Sequence, residues 1–192
     1  MDLAPLDEAG FLDGATQIPS PNCDERPEGA ELTLLVVHNI SLPPGEFGGD
    51  AVIRLFTNAL DFSAHPYYET LRELKVSAHF LIPREGGLIQ LVPCAKRAWH
   101  AGASNWCGRE RCNDFSVGVE LEGVDDQPYR DGQYTHLADL IAALRSRYPL
   151  VDVVGHADIA PGRKTDPGPA FDWGRLRESL ASGGSTHAPG PA

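Results

Sequence analysis

The segment Leu32-Thr33-Leu34-Leu35-Val36-Val37 constrains this chain more than any other feature. It is a short, continuous apolar run with β-branched members, the mark of a strand buried on both faces. It stops at His38-Asn39, and Ser41-Leu42-Pro43-Pro44-Gly45-Glu46-Phe47-Gly48-Gly49 must then be a loop, because its prolines and glycines destroy either period. A strand covered on both sides calls for a sheet with layers packed against it.

The remaining segments supply those layers. Ala51 to Leu60 and Pro66 to Leu74 read as helices. Ser77 to Pro83 and Leu88 to Val92 read as strands of a hairpin turning at Arg84-Glu85-Gly86-Gly87. Ser116 to Glu122 alternates, with Val117, Val119 and Leu121 on one face and Ser116, Gly118, Glu120 and Glu122 on the other, so a half-buried strand is expected. Leu137, Ile141, Leu144 and Tyr148 share one face of a helix that opens near Asp131 and is stopped by Pro149. Val151 to Val154 is a further strand closed by Gly155-His156, and Phe171 to Leu180 a last helix. Residues 1–30 look loop-like, and residues 94–115 resemble a long surface loop. This order predicts an α/β fold, a single domain with a central sheet flanked by helices. Residues 1–10 are expected to be an extension, 11–180 the domain, and 181–192 a disordered Gly/Ser/Pro tail.

Composition narrows the function. Lys plus Arg number 16 against 27 Asp plus Glu, a formal net charge of −11. That argues against nucleic-acid binding, which draws on neutralised phosphates. No stretch approaches the roughly 20 apolar residues of a membrane helix, so no membrane partner is expected. The start is acidic, without a basic segment followed by an apolar one, and no export signal is expected. Cys23, Cys94, Cys107 and Cys112 form no CxxC pair and suit reduced thiols in a cytosolic compartment; spacing leaves a Cys107–Cys112 bridge open.

Two histidines stand out because His38 and His156 each terminate an apolar strand before a Gly/Pro-rich loop. The loop after His156 adds Asp158, Lys164 and Asp166. Two His and one carboxylate leave a fourth position open, the pattern of catalytic zinc; alternatively, the histidines hydrogen-bond loop carbonyls. Glu120, with space above Gly118, could move a proton beside a metal, or lie on a solvated face with Glu122. Lys164 would be within reach of a developing oxyanion, or be ordinary surface. His79 reads as a wall or core residue. Trp99 and Trp106 offer surface for sugar stacking or for packing. His65, His136 and His187 lack supporting context.

A resemblance then enters on longer motifs. Leu34 to Gly49, Val76-Ser77-Ala78-His79, Lys96-Arg97-Ala98-Trp99-His100-Ala101-Gly102, Gly108 to Gly123 and Gly155 to Trp173 together resemble, in order, the AmpD-type amidases of bacterial cell-wall recycling. The resemblance implies a mixed central sheet flanked by helices, as in peptidoglycan recognition proteins and phage amidases. It implies zinc-dependent hydrolysis of the amide between the lactyl group of 1,6-anhydro-N-acetylmuramic acid and L-alanine, in the cytoplasm, by a monomer holding one Zn2+ per chain. In such relatives, loss of this activity induces a chromosomal β-lactamase. By matching motif, His38, His156 and Asp166 would bind zinc, Glu120 would be the catalytic carboxylate and Lys164 the oxyanion partner. Asn39, His79, Trp99, Arg111 and Lys75 would contact substrate. Lys75 stands where the family pattern has Arg, keeping the charge but losing the bidentate fork. The competing functions are an exported lytic amidase acting on intact peptidoglycan and a non-catalytic muropeptide-binding module.

Overall fold

The computed structural model describes residues 6–183. In chain order its elements are β1 (Thr16–Gln17), β2 (Cys23–Glu25), β3 (Leu34–Ile40), α1 (Ala51–Phe56), α2 (Pro66–Glu69), β4 (Phe80–Ile82) and β5 (Ile89–Gln90). There follow β6 (Lys96–Ala98), β7 (Asn105–Trp106), β8 (Arg109–Glu110), a 3-10 turn at Cys112–Asp114, and β9 (Ser116–Glu122). The chain closes with α3 (Asp131–Arg147), β10 (Asp152–Gly155), α4 (His156–Ile159) and α5 (Trp173–Gly183).

Six strands form one mixed sheet in the order β1-β5-β4-β9-β3-β10. The four strands β4, β9, β3 and β10 run parallel, while β5 is antiparallel to β4. Period-two alternation divides the two faces. Leu35 and Val37 of β3 lie in register with Val117 and Val119 of β9, and with Phe80 and Ile82 they form a core under Leu137, Leu140, Ile141 and Leu144 of α3 and Leu176 of α5. Each such side chain contributes about 1.5–3 kcal/mol on burial. On the opposite face, Leu34 and Val36 pack with Ala101, Phe115 and Ile159. Beside them Leu81 joins Val52, Leu55 and Phe56 of α1. Buried Gln133 fixes α3 to the sheet: its amide donates to Ile82 O (3.2 Å) and Glu122 O (3.0 Å), and its oxygen accepts from Arg130 N–H (3.0 Å).

Several sequence expectations are corrected. β9 is buried along its whole length, not half-buried, because both neighbouring strands and both covering layers close on it. Glu122 is accordingly no solvated residue; its carboxylate accepts from Gly48 N–H (2.5 Å) and Arg84 N–H (2.9 Å), pinning the Pro/Gly loop to the sheet end. α1 is shorter than expected, ending as Asn58 turns left-handed (φ +58°). α2 closes after one turn, where Thr70 Oγ1 donates back to Tyr67 O (2.7 Å). Residues 94–115 are not one loop: β6 pairs with β2, and β7 with β8. The N-terminal segment is not an extension from residue 6 onward, since Leu6 and Leu12 bridge and enter the core and β1 forms the sheet edge. The other end of the domain moves as well: residues 181–183 belong to α5. The rest of the expected tail, with His187, lies outside the described residues. Cys23, Cys94, Cys107 and Cys112 are all free thiols.

Arg26, just past β2, ties the loop region together. Its guanidinium donates to the carbonyls of Cys94 (3.0 Å), Asn113 (3.0 Å), Asp114 (3.2 Å) and Ser116 (2.9 Å). Removing it takes four hydrogen bonds from partly buried carbonyls, each worth about 0.5–1.5 kcal/mol net. Arg26→Leu should therefore lower stability by about 2–4 kcal/mol. Arg54→Leu, which breaks an exposed pair with Asp50, should change it by less than about 1 kcal/mol. Urea unfolding midpoints check the contrast.

Candidate active site

The parallel strands end in a row of side chains on one face, where ligands commonly bind in such sheets. Leu81 pairs with Glu120, and Glu120 with His38. Gly155 pairs with Val37, so His156, the next residue, stands beside His38. The loop returning after His156 brings in Asp166. A Cβ on Gly155 would lie 2.8 Å from Pro167 Cδ, so only glycine admits that close return. Asp166 O also accepts from Ala157 N–H (3.0 Å). Asp158 takes no part: its carboxylate accepts from Gly155 N–H (2.7 Å) and closes the first turn of α4.

His38 Nδ1, His156 Nδ1 and Asp166 Oδ2 stand 3.0–3.1 Å apart. Zinc–ligand bonds of about 2.0–2.1 Å in a tetrahedron imply ligand separations of about 3.3 Å, close to this spacing. The donor chemistry fits as well. His156 Nε2 lies 3.1 Å from Ala101 O; a carbonyl only accepts, so Nε2 carries a hydrogen and Nδ1 is the nitrogen that faces the cluster. Burial pushes His38 down to about 4, leaving it neutral at physiological pH. Burial opposes ionisation of Asp166, but hydrogen bonds with His156 and His38 hold it below the usual carboxylate range. With no hydrogen on either Nδ1, the two imidazoles and the carboxylate can hold a divalent cation.

Glu120 behaves oppositely. It is 9% exposed, and its Oε2 has no hydrogen-bond partner among the described residues. Burial, then the negative charge of Asp166, raises its pKa well above the ordinary value, with Lys164 opposing. Glu120 and Lys164 line a cleft of about 430 Å³ with the three cluster residues, facing an apolar wall that includes Leu55, Tyr67, Leu71 and Leu74.

The other expected contacts divide. Trp99 and Asn39 line this cleft. Both Asn39 amide hydrogens are occupied, on Asp125 Oδ1 (2.8 Å) and Pro167 O (3.1 Å), so Asn39 also clamps the loop that carries Asp166. Lys75 lines an adjoining groove with Trp99 and Lys164. Arg111 is largely exposed, pairs with Asp114 (3.2 Å) and lines a separate hollow with Arg163. His79 is fully buried and does not line the cleft; its Nδ1 accepts from Gly118 N–H (2.9 Å), so its place in the core corrects the expected substrate contact. Trp106 is a packing residue whose Nε1–H donates to Asp152 Oδ2 (2.8 Å). Sequence reasoning passed over His100, whose Nδ1 is 2.9 Å from His38 Nε2; the space above Gly118 was the available signal.

Three groups that could hold a cation, beside a buried carboxylate at the strand ends of a mixed α/β sheet, are a donor set that a hydrolase can use. The chain belongs to the N-acetylmuramoyl-L-alanine amidase family, whose model matches residues 28–169, and it is an enzyme of that class. Within the family it is an AmpD-type amidase. It is 58% identical to the 1,6-anhydro-N-acetylmuramyl-L-alanine amidase AmpD of Escherichia coli K12, across 88% of this chain and 94% of that protein. A crystal structure of a selenomethionine AmpD derivative superposes with a TM-score of 0.89 at 55% identity, covering 92% of this chain and 99% of that one. The E. coli amidase AmiD, solved with anhydro-N-acetylmuramic acid-L-Ala-D-γ-Glu-L-Lys, gives a TM-score of 0.56 at 30% identity over 91% of this chain and 65% of that one.

The strained charge of Glu120 has a stability consequence. Its folded pKa lies above the ordinary 4.5, so the metal-free protein loses stability as pH rises from about 4.5 toward the raised value, where the unfolded chain releases the proton first. Glu120→Gln keeps the shape without the charge. Metal-free wild type and variant should melt alike at pH 4, and the variant should melt several degrees higher at pH 7.5, at about 2–4 °C per kcal/mol. Equal melting temperatures at both pH values would refute the buried-charge account.

Proposed function

We propose that this amidase uses one zinc ion to hydrolyse the amide between the lactyl group of 1,6-anhydro-N-acetylmuramic acid and the L-alanine of a stem peptide, in cytoplasmic peptidoglycan recycling. The observation that carries the reading is the row Glu120–His38–His156 closed by Asp166. The E. coli AmpD relative, named for this substrate, supports the choice of sugar.

His38, His156 and Asp166 hold the metal, which when bound polarises the scissile carbonyl and makes water more acidic. Glu120 receives the proton of the attacking water and passes it to the departing alanine nitrogen. Burial makes it a stronger base than a free carboxylate, and the positive charge of a bound cation would favour its ionised, proton-accepting form. The Lys164 ammonium faces the charge developing on the carbonyl oxygen. Trp99 and the apolar wall give the sugar a place to stack and exclude water. No covalent intermediate on the protein is required. A binding module would have no use for a buried carboxylate whose Oε2 lacks a partner among the described residues, set beside three metal donors, so this reading is preferred over a non-catalytic one.

Zinc should be removable by chelator with loss of activity, and restored with it. Alanine at His38, His156 or Asp166 should abolish both; full turnover by metal-free protein would overturn the zinc reading. Glu120→Ala should retain zinc while kcat falls by about 10²–10⁴, and Lys164→Ala should lower kcat by about 10²–10³. Mass spectrometry of products from anhydro-muropeptide and from intact sacculi separates a recycling enzyme from a lytic one, and cell fractionation places it.

Stem-peptide carboxylates need a cation on this acidic chain, and Lys75 and Arg111 are our candidates. Replacing the residue that grips a carboxylate by alanine should raise KM for a tripeptide substrate by about 1.5–3 kcal/mol equivalent. KM for anhydro-N-acetylmuramyl-L-alanine should stay nearly unchanged. Equal losses on both substrates would assign that residue to the fold instead.

A further inference from the structure

We infer that His100 is a positioning residue that fixes the tautomer of His38, a role that rests on the metal reading above. The two cluster histidines differ in what holds their outward nitrogens. His156 Nε2 faces the Ala101 carbonyl, which can only accept. His38 Nε2 faces another ring nitrogen, His100 Nδ1, at 2.9 Å, which can accept or donate. If His100 Nδ1 accepts, the His38 hydrogen sits on Nε2 and its Nδ1 lone pair faces His156 and Asp166. If His100 Nδ1 donates, the His38 hydrogen moves to Nδ1, toward Asp166 Oδ2 at 3.0 Å, and blocks a cation. For His100 Nδ1 to accept, its own hydrogen must sit on Nε2, where Ser116 Oγ lies at 3.2 Å to receive it.

The surroundings hold this ring in place. A Cβ on Gly118 would lie 2.4 Å from His100 Cγ, so the ring occupies the space that glycine leaves open. Asn113 Oδ1 accepts from the backbone N–H groups of both His100 (3.2 Å) and Ala101 (2.8 Å). One pinned dipeptide therefore addresses the outward nitrogens of both histidines, one through a side chain and the other through a carbonyl. Metal-binding histidines are generally oriented by such partners, and losing one typically weakens metal affinity 10–100-fold.

His100 also lines the cleft, so the test must separate positioning from substrate contact. The 192-residue chain would be compared as wild type, His100→Leu, His100→Asn and Ser116→Ala, with zinc affinity measured by competition against a chromophoric chelator and kcat and KM measured at saturating zinc. Asn places an accepting oxygen near the position of Nδ1, whereas Leu fills similar space with none. His100→Leu should weaken zinc binding about 10–100-fold, and His100→Asn should stay within about threefold of wild type. Ser116→Ala, which leaves the ring in place, should weaken it by about threefold or more, and carries the test if the leucine variant does not fold. Equal affinity across the series, equal losses in Leu and Asn, or a raised KM with zinc affinity intact would each overturn the proposal. A wild type that binds no zinc would instead overturn the metal reading, and this one with it.

Discussion

The register of β3 between β9 and β10 is the constraint on which the rest of the molecule depends. Pairing His38 with Glu120, and Val37 with Gly155, aligns three side chains from distant parts of the sequence on one face of the sheet. Side chains alternate with a period of two, so a slip of one residue in either pairing would turn Glu120 or His156 to the opposite face. What resists such a slip is the other face. Leu35, Val37, Val117, Val119 and Leu121 are packed under α3 and α5, and they cannot move to the cleft side without exposing that core. The apolar face thus sets the register, and the register assembles the chemistry.

Within that row, two carboxylates receive opposite treatment. Asp166 stands against two imidazoles and is held ionised; Glu120 stands on a buried strand against Leu81, with Oε2 unpartnered among the described residues, and is driven toward its neutral form. Separating the proton affinities of two neighbouring acids is how one site obtains both a permanent anion and a group that can take and return a proton. The difference comes from position rather than residue type: Asp166 arrives on a loop beside the histidines, whereas Glu120 rises from the centre of the sheet.

How much of this could be read from the residues alone follows from how local each feature is. The apolar run before His38, the alternation around Glu120 and the helical spacing of Leu137, Ile141 and Leu144 are period signals, and each element formed where its period stands. β1, β2, β6, β7 and β8 are two or three residues long, too short for any period, so they were read as loop. The half-buried reading of β9 failed because alternation distinguishes two faces but cannot tell that both are covered. At the site, strand-end placement indicated His38 and His156, yet could not choose between Asp158 and Asp166; the return of the chain over Gly155 makes that choice. His100 was passed over for a similar reason, since its partner on β3 is 62 residues away.

The charge of the molecule can be understood in the same spatial terms. A net charge of −11 and a cluster containing Asp166 create a potential that draws in a divalent cation but opposes an acidic peptide. These demands conflict only if they act at one point. Glu120 is buried and Asp166 half-buried in the cleft, while Lys164 is exposed beside them and Lys75 and Arg163 line the adjoining groove. Screening at physiological salt limits exposed charges to about 8 Å, so the cations act locally, Lys164 on Glu120 among others. A cation beside the acids and a carboxylate beside the lysines can therefore each meet opposite charge, and the surrounding acidity acts mainly on the rate of approach. Local placement of a few cations, rather than overall composition, decides what an acidic enzyme of this shape can hold.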